Sequence, residues 1–162
     1  MPLSKIPNSM QAALTRTELP TGSVIQIQTG GSVGWTNTTS TSMVDALTCS
    51  ITPTATTSKI FVMINVNGGT VAGVTQYGKF ELYRDSTLIR RITDIYGYAI
   101  NHNNYNTDMS SNYLDDGVST TSAVTYKVKF ATSNSSNYVG FNNYGTGNNR
   151  TSSTITLMEI AG

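Results

Sequence analysis

Few of the 162 residues carry side chains that a reaction could use, and most of those are scattered along the chain. The one local gathering is His102, Asp108, Asp115 and Asp116, whose nitrogen and oxygen atoms are of the kind that holds a cation. Their spacing matches neither a calcium-binding loop nor a histidine pair one helical turn apart, so no metal and no cofactor is expected there, only a solvated polar loop. Glycoside cleavage needs two carboxylates facing each other across a sugar. Asp115 and Asp116 are adjacent and would point to opposite sides of an extended chain. Asp94 with Asp108 or Asp115 remains as a pairing without a supporting motif. A serine nucleophile would have only His102 as its base, and no Gly-x-Ser-x-Gly turn is present. The single cysteine, Cys49, alternates with Leu47 and Ile51 and reads as a small buried hydrophobe. With no phosphate-binding glycine loop and no dinucleotide fingerprint, the chain is expected to have no catalytic residues and not to be an enzyme.

The composition indicates what such a chain builds instead. Only 12% of residues are charged, about half of the roughly 25% usual in globular domains. With 26 Thr, 18 Ser and 15 Asn, uncharged polar groups supply the hydrophilic surface. Thr suits a pleated strand, whereas Ser, Asn and Gly suit turns, so an all-β chain is expected. The formal net charge of +1 provides no basic field for a phosphate backbone, which argues against nucleic acid. The beginning, Met1-Pro2-Leu3-Ser4-Lys5-Ile6-Pro7, lacks the apolar stretch of a secretory signal. The longest apolar run, residues 59–66, is far too short to cross a membrane as a helix. A soluble protein made in the cytosol, with no membrane insertion, is the expectation.

Residues 1–20 differ from the rest. They hold three of the four prolines and read as an arm for attachment or as a loose tail. Residues 21–162 form the expected domain. Residues 23–29 alternate, with Ile25 and Ile27 on one face and Gln26 and Gln28 on the other, before a turn at Gly30-Gly31. A strand is expected at 43–51. Residues 59–67 are apolar enough to form a central strand buried on both faces for much of its length, broken by Gly68-Gly69. Residues 80–84 and 88–92 frame a tight hairpin turn at Asp85-Ser86-Thr87. Val124, Tyr126, Val128 and Phe130 make the clearest strand face of all. Shorter runs at 137–141 and 153–160 complete an antiparallel β-sandwich or jelly roll.

Two segments read as long irregular loops. Residues 97–117 contain Tyr98, His102, Tyr105 and Tyr113 among several asparagines, and residues 142–150 contain Tyr144 among Gly and Asn. This mixture serves adaptable binding loops, because Tyr gives contact area at low entropic cost and Asn hydrogen-bonds in either sense. It equally serves turns, so a ligand-binding and a purely structural reading both stand. Trp35 reads as a core or interface anchor or as a sugar-stacking ring, and Arg84, Arg90 and Arg91 as a solvated face. In the last strand Ile155 and Leu157 lie on one side and Thr156, Met158 and Ile160 on the other. Both sides are therefore partly apolar, as between core and subunit interface or within an ordinary core.

The assembled pattern resembles small structural proteins of tailed, especially aquatic, phages. The resemblance is carried by Leu19-Pro20-Thr21-Gly22-Ser23-Val24-Ile25-Gln26, by Leu82-Tyr83-Arg84-Asp85-Ser86-Thr87, and by the closing Ser153-Thr154-Ile155-Thr156-Leu157-Met158-Glu159-Ile160. It implies a tail-fibre or other virion protein with a jelly-roll-like head, commonly a homotrimer, joined to other virion proteins through residues 1–20. On that reading the two loops meet a host-surface glycan. A capsid decoration protein is the alternative, with the loops incidental. The family supplies no binding residues, and its pattern is absent from Tyr96 to Gly117.

Overall fold

The computed structural model describes residues 19–71, 76–97, 105–136, 138–142 and 151–162. Tyr98, His102 and Tyr144, and the expected arm apart from its last two residues, lie outside the described residues. The described chain contains no helix. It forms ten strands: β1 (Val24–Val33), β2 (Thr36–Thr38), β3 (Val44–Ile51), β4 (Lys59–Val71), β5 (Gln76–Arg84), β6 (Thr87–Gly97), β7 (Tyr105–Asp115), β8 (Val124–Thr132), β9 (Val139–Phe141) and β10 (Ser152–Ile160). They make an antiparallel sandwich. One sheet runs β1-β10-β4-β9-β2 with β7 on the far edge of β4, and the other runs β3-β8-β5-β6.

Period-two patterning drives this arrangement, since alternate side chains of a strand face opposite ways. Val124, Tyr126, Val128 and Phe130 of β8 point inward and are almost fully buried. They meet Ile60, Val62, Ile64 and Val66 of β4 and Ile155 and Leu157 of β10 in one core, which also holds Cys49. Phe130 stands at its centre, stacked on Phe80 with ring centroids 5.8 Å apart and edge-on to Phe141 at 5.4 Å. The β5–β6 turn is the expected tight hairpin. Asp85 takes a positive φ of 53°, a conformation that Asp tolerates better than most residues.

Four expectations are corrected. Gly30-Gly31 is not a turn, because β1 runs through it to Val33. A Cβ on Gly30 would stand 2.2 Å from the Thr48 carbonyl oxygen, so glycine is needed there to let β1 and β3 approach closely. The 59–67 run is not buried on both faces. Its inward residues are buried, whereas Met63 is 40% exposed on the outside. Gly68-Gly69 does not end that strand either. A bulge between Val66 and Gly69 lets β4 continue to Val71, where β9 takes over the edge that β10 has left. Finally, residues 97–117 are not one loop. Residues 105–115 are a strand paired along β4.

Glu159 closes the end of the sandwich where β1 and β10 meet. Although fully buried, it accepts hydrogen bonds from the Thr54 N–H and hydroxyl (both 2.7 Å), the Ser58 hydroxyl (2.5 Å) and the Gln26 amide (2.7 Å). Burial pushes its carboxyl up, but the donors from Ser58, Gln26 and Thr54 outweigh that and hold it below its ordinary 4.5. Since the folded value lies below the unfolded one, this stabilisation is complete above pH 4.5 and is lost as pH falls through the folded value. Urea unfolding should show a stability plateau near neutral pH and a decline below about pH 4.5. Glu159→Gln should cost ~2 kcal/mol at pH 7 and flatten part of that decline. A variant with the wild-type acid slope would show that Glu159 is not its source. Independently, Gly30→Ala should cost more than ~2 kcal/mol, because the Thr48 carbonyl is backbone and cannot step aside. Gly31→Ala, whose Cβ would meet its nearest atom at 3.4 Å, should cost under ~1 kcal/mol in the same measurement.

Candidate functional site

Of the carboxylates singled out from the sequence, one is built into the fold. Asp115, at the end of β7, is 3% exposed. It is held by two bonds from one Arg84 nitrogen (2.8 and 2.7 Å), by the Tyr126 hydroxyl (2.7 Å) and by the Gly117 N–H (3.1 Å). Arg84 comes from β5 and Tyr126 from β8, so this clasp ties β7 of one sheet to two strands of the other. Burial and the bond to Asp115 push the Tyr126 hydroxyl far above its ordinary range, so it stays protonated and donates to the carboxylate. Asp115 is thus buried and ion-paired, and both its oxygens are engaged in holding the two sheets together. Arg84 is correspondingly not part of a solvated face. Arg90 and Arg91 are exposed, the first over the Tyr113 ring and the second 3.6 Å from Glu81. Asp116 is exposed. Asp108 is also exposed and lies seven positions from Asp115 along β7. Among the described residues, no three of His, Cys, Asp and Glu come together.

The tyrosines divide. Tyr113 pairs with Val62, faces inward and packs against the core. It therefore lies on a strand of the sandwich and not in the expected irregular loop. Tyr105 is the first residue of β7 and pairs with Val71. Trp35 is half-buried and meets Tyr138 edge-on at 5.4 Å.

The register also fixes where the described residues that flank the two Tyr/Asn-rich segments sit. Tyr105, which follows residues 98–104, sits at the Val71 end of β4. Residues 143–150 are flanked by Asn142, whose N–H bonds the Asn67 carbonyl, and by Ser152, whose carbonyl accepts from the Asn67 amide. The residues that flank both segments therefore sit in the same half of the sandwich. Residues 19–23 lie at the opposite end, where Val24 pairs with Ile160 and Ile160 with Lys59. β4 spans about 40 Å between these poles.

Between the poles, the outer side of the six-stranded sheet is an open surface. Thr156, Met158 and Ile160 lie on it, half-buried, while Ile155 and Leu157 fill the core, so β10 is two-sided as expected. A trough of about 370 Å³ crosses β10, β4 and β7, lined by Met63, Asn65, Ser110, Asn112, Thr154 and Thr156. It contains amides, hydroxyls and a thioether and no charge. Sequence reasoning missed it because its residues come from three distant strands.

The clasp gives a direct test. Arg84→Ala should lower unfolding stability by ~3 kcal/mol by leaving Asp115 buried without a cation. Tyr126→Phe should cost ~1–2 kcal/mol through one lost hydrogen bond. Equal small effects in denaturant titrations would show that the clasp does not couple the sheets.

No protein-family model matches the chain, and no curated protein matches it. Among solved structures, the chain is similar to one in "Structure of infectious bursal disease virus Gt strain", at 11% identity and a TM-score of 0.49. The likeness covers 100% of this chain and 43% of that one, so this chain spans less than half of its neighbour's length.

Proposed function

We propose that this protein is a non-enzymatic virion structural protein of a tailed phage, a tail-fibre or receptor-binding component. In this reading residues 1–20 tether it and the Tyr/Asn-rich segments meet a host-surface glycan. The observation that carries the reading is the polarity of the sandwich. Residues 19–23, which follow the proposed arm, sit at the Lys59 end of β4, and the residues that flank both Tyr/Asn-rich segments sit toward the Val71 end. A tether at one pole and contact segments at the other is the layout required of a module that projects from a particle. The rigid core between them supports precise display, because a buried antiparallel sandwich deforms little. The residue resemblance to phage structural proteins points the same way.

The second reading, a capsid decoration protein, is favoured by one feature, the uncharged centre of the outer face of the six-stranded sheet. Such a face suits packing among neighbours in a shell. In that case particles lacking the protein should burst at a lower temperature, and antibody should label the capsid rather than the tail. Under the leading reading, antibody labels the tail or its fibres. Replacing Tyr98, Tyr105 and Tyr144 together by Ala should then abolish binding to host cells while the thermal midpoint stays within about 2 °C. Tyr113 is left out because it packs against the core. Unaltered cell binding by the triple variant would overturn the assignment of these segments.

A further inference from the structure

The two outer faces of the sandwich differ sharply. On the four-stranded sheet, charges are stitched together. Lys127 and Lys129 both pair with Asp45, at 2.8 and 3.3 Å, and Glu81 takes Arg91 and the Tyr83 hydroxyl. On the six-stranded sheet, the outward positions between Lys59 and Asp108 carry no charge at all. Instead, the register aligns Ile27 with Met158, Met158 with Phe61 and Phe61 with Leu114, an apolar row across four strands. Ile27 is 55% exposed and Leu114 46%. With Val24 and Met63, four of the five large exposed apolar side chains among the described residues lie on this one face, the fifth being Leu88. The next row, Thr29, Thr156, Met63 and Asn112, is largely hydroxyl and amide.

We propose that this face is the surface through which copies of the chain associate, with the symmetry axis parallel to the strands. The occupant is a second copy because the centre of the face is neutral and mixed apolar and polar. The same face of another molecule covers it without burying an ion, whereas a charged partner would leave its charges unpaired. An axis along the strands keeps levels in step, so the apolar row meets an apolar row and the hydroxyl row meets its like. It also gathers every arm at one end and every Tyr/Asn-rich segment at the other. That second argument for the axis rests on the tether-and-display reading above. Four strands over seven residues give a face of roughly 19 by 24 Å, smaller than half of a standard stable interface. The association should accordingly be weak, in the micromolar range, and strengthened by multiple attachment.

Sedimentation velocity on the full chain, from about 1 to 100 µM, tests it. The wild type should move above the 17.4 kDa single-chain mass as concentration rises. Ile27→Lys combined with Leu114→Lys should weaken association about a hundredfold. Leu114→Gln alone, a gentler change that keeps the fold safe, should weaken it about tenfold. Leu88→Lys, on the other sheet, should leave it unchanged. A wild type that stays at single-chain mass throughout would overturn the inference, as would association that survives the double lysine variant or is lost in Leu88→Lys. Either result leaves the virion reading standing, since antibody labelling and cell binding test that separately.

Discussion

Backbone pairing along both edges of β4 is the constraint on which the rest of the molecule depends. One edge is shared by β10, which covers Lys59–Asn65, and β9, which covers Thr70 and Val71; the other edge carries β7. This ladder fixes which side chains face inward, and so assembles Ile60, Val62, Ile64 and Val66 against β8. It also forces an acid under the sandwich. With Leu114 outward opposite Phe61, Asp115 must turn inward opposite Ile60. A lone buried carboxylate is costly, and the opposite sheet supplies Arg84 and Tyr126 to meet it. The clasp is thus a consequence of register, and its two-sheet geometry makes it a link between layers.

The same register sorts the surface. The four-stranded sheet spends its outer positions on Lys, Asp and Glu in a paired lattice, an ordinary solvated face. The six-stranded sheet places Ile, Met, Phe and Leu there, at positions that could as readily have been Thr. Exposed apolar groups scattered singly need no explanation, but a row aligned strand by strand is a patch. Its contrast with the other face comes from one domain with one core, so overall composition does not account for it.

Much of this was legible in the sequence where apolar residues alternate strongly. β8, β10 and the hairpin around Asp85 follow from period and turn chemistry alone, as does the two-sided character of Thr156, Met158 and Ile160. β7 was not legible. Its inward residues are Met109, Ser111, Tyr113 and Asp115, of which only two are apolar, and Asn, Ser and Asp favour turns locally. Pairing with β4 overrides that preference. Gly30 misled for the opposite reason, since a glycine pair signals a turn unless a neighbouring strand needs the space. The apolar row on the six-stranded sheet was half visible. Met158 declares itself, but Ile27, Phe61 and Leu114 lie on distant strands, and no periodicity connects them before the register is known.

The scarcity of charge, evident from the first count of residues, acquires a physical sense from this layout. Surface ion pairs are screened by salt, so contacts built on them loosen as ionic strength rises. Apolar rows bounded by hydroxyls and amides are not screened, and added salt tends to strengthen apolar burial when the ions are excluded from the surface. A module whose copies meet through such a face would hold together across dilute and saline water alike. The charged lattice on the opposite sheet would meanwhile keep the outside of the assembly wetted. The two faces then perform complementary tasks with the same backbone, and the choice between them is made by one residue in every two.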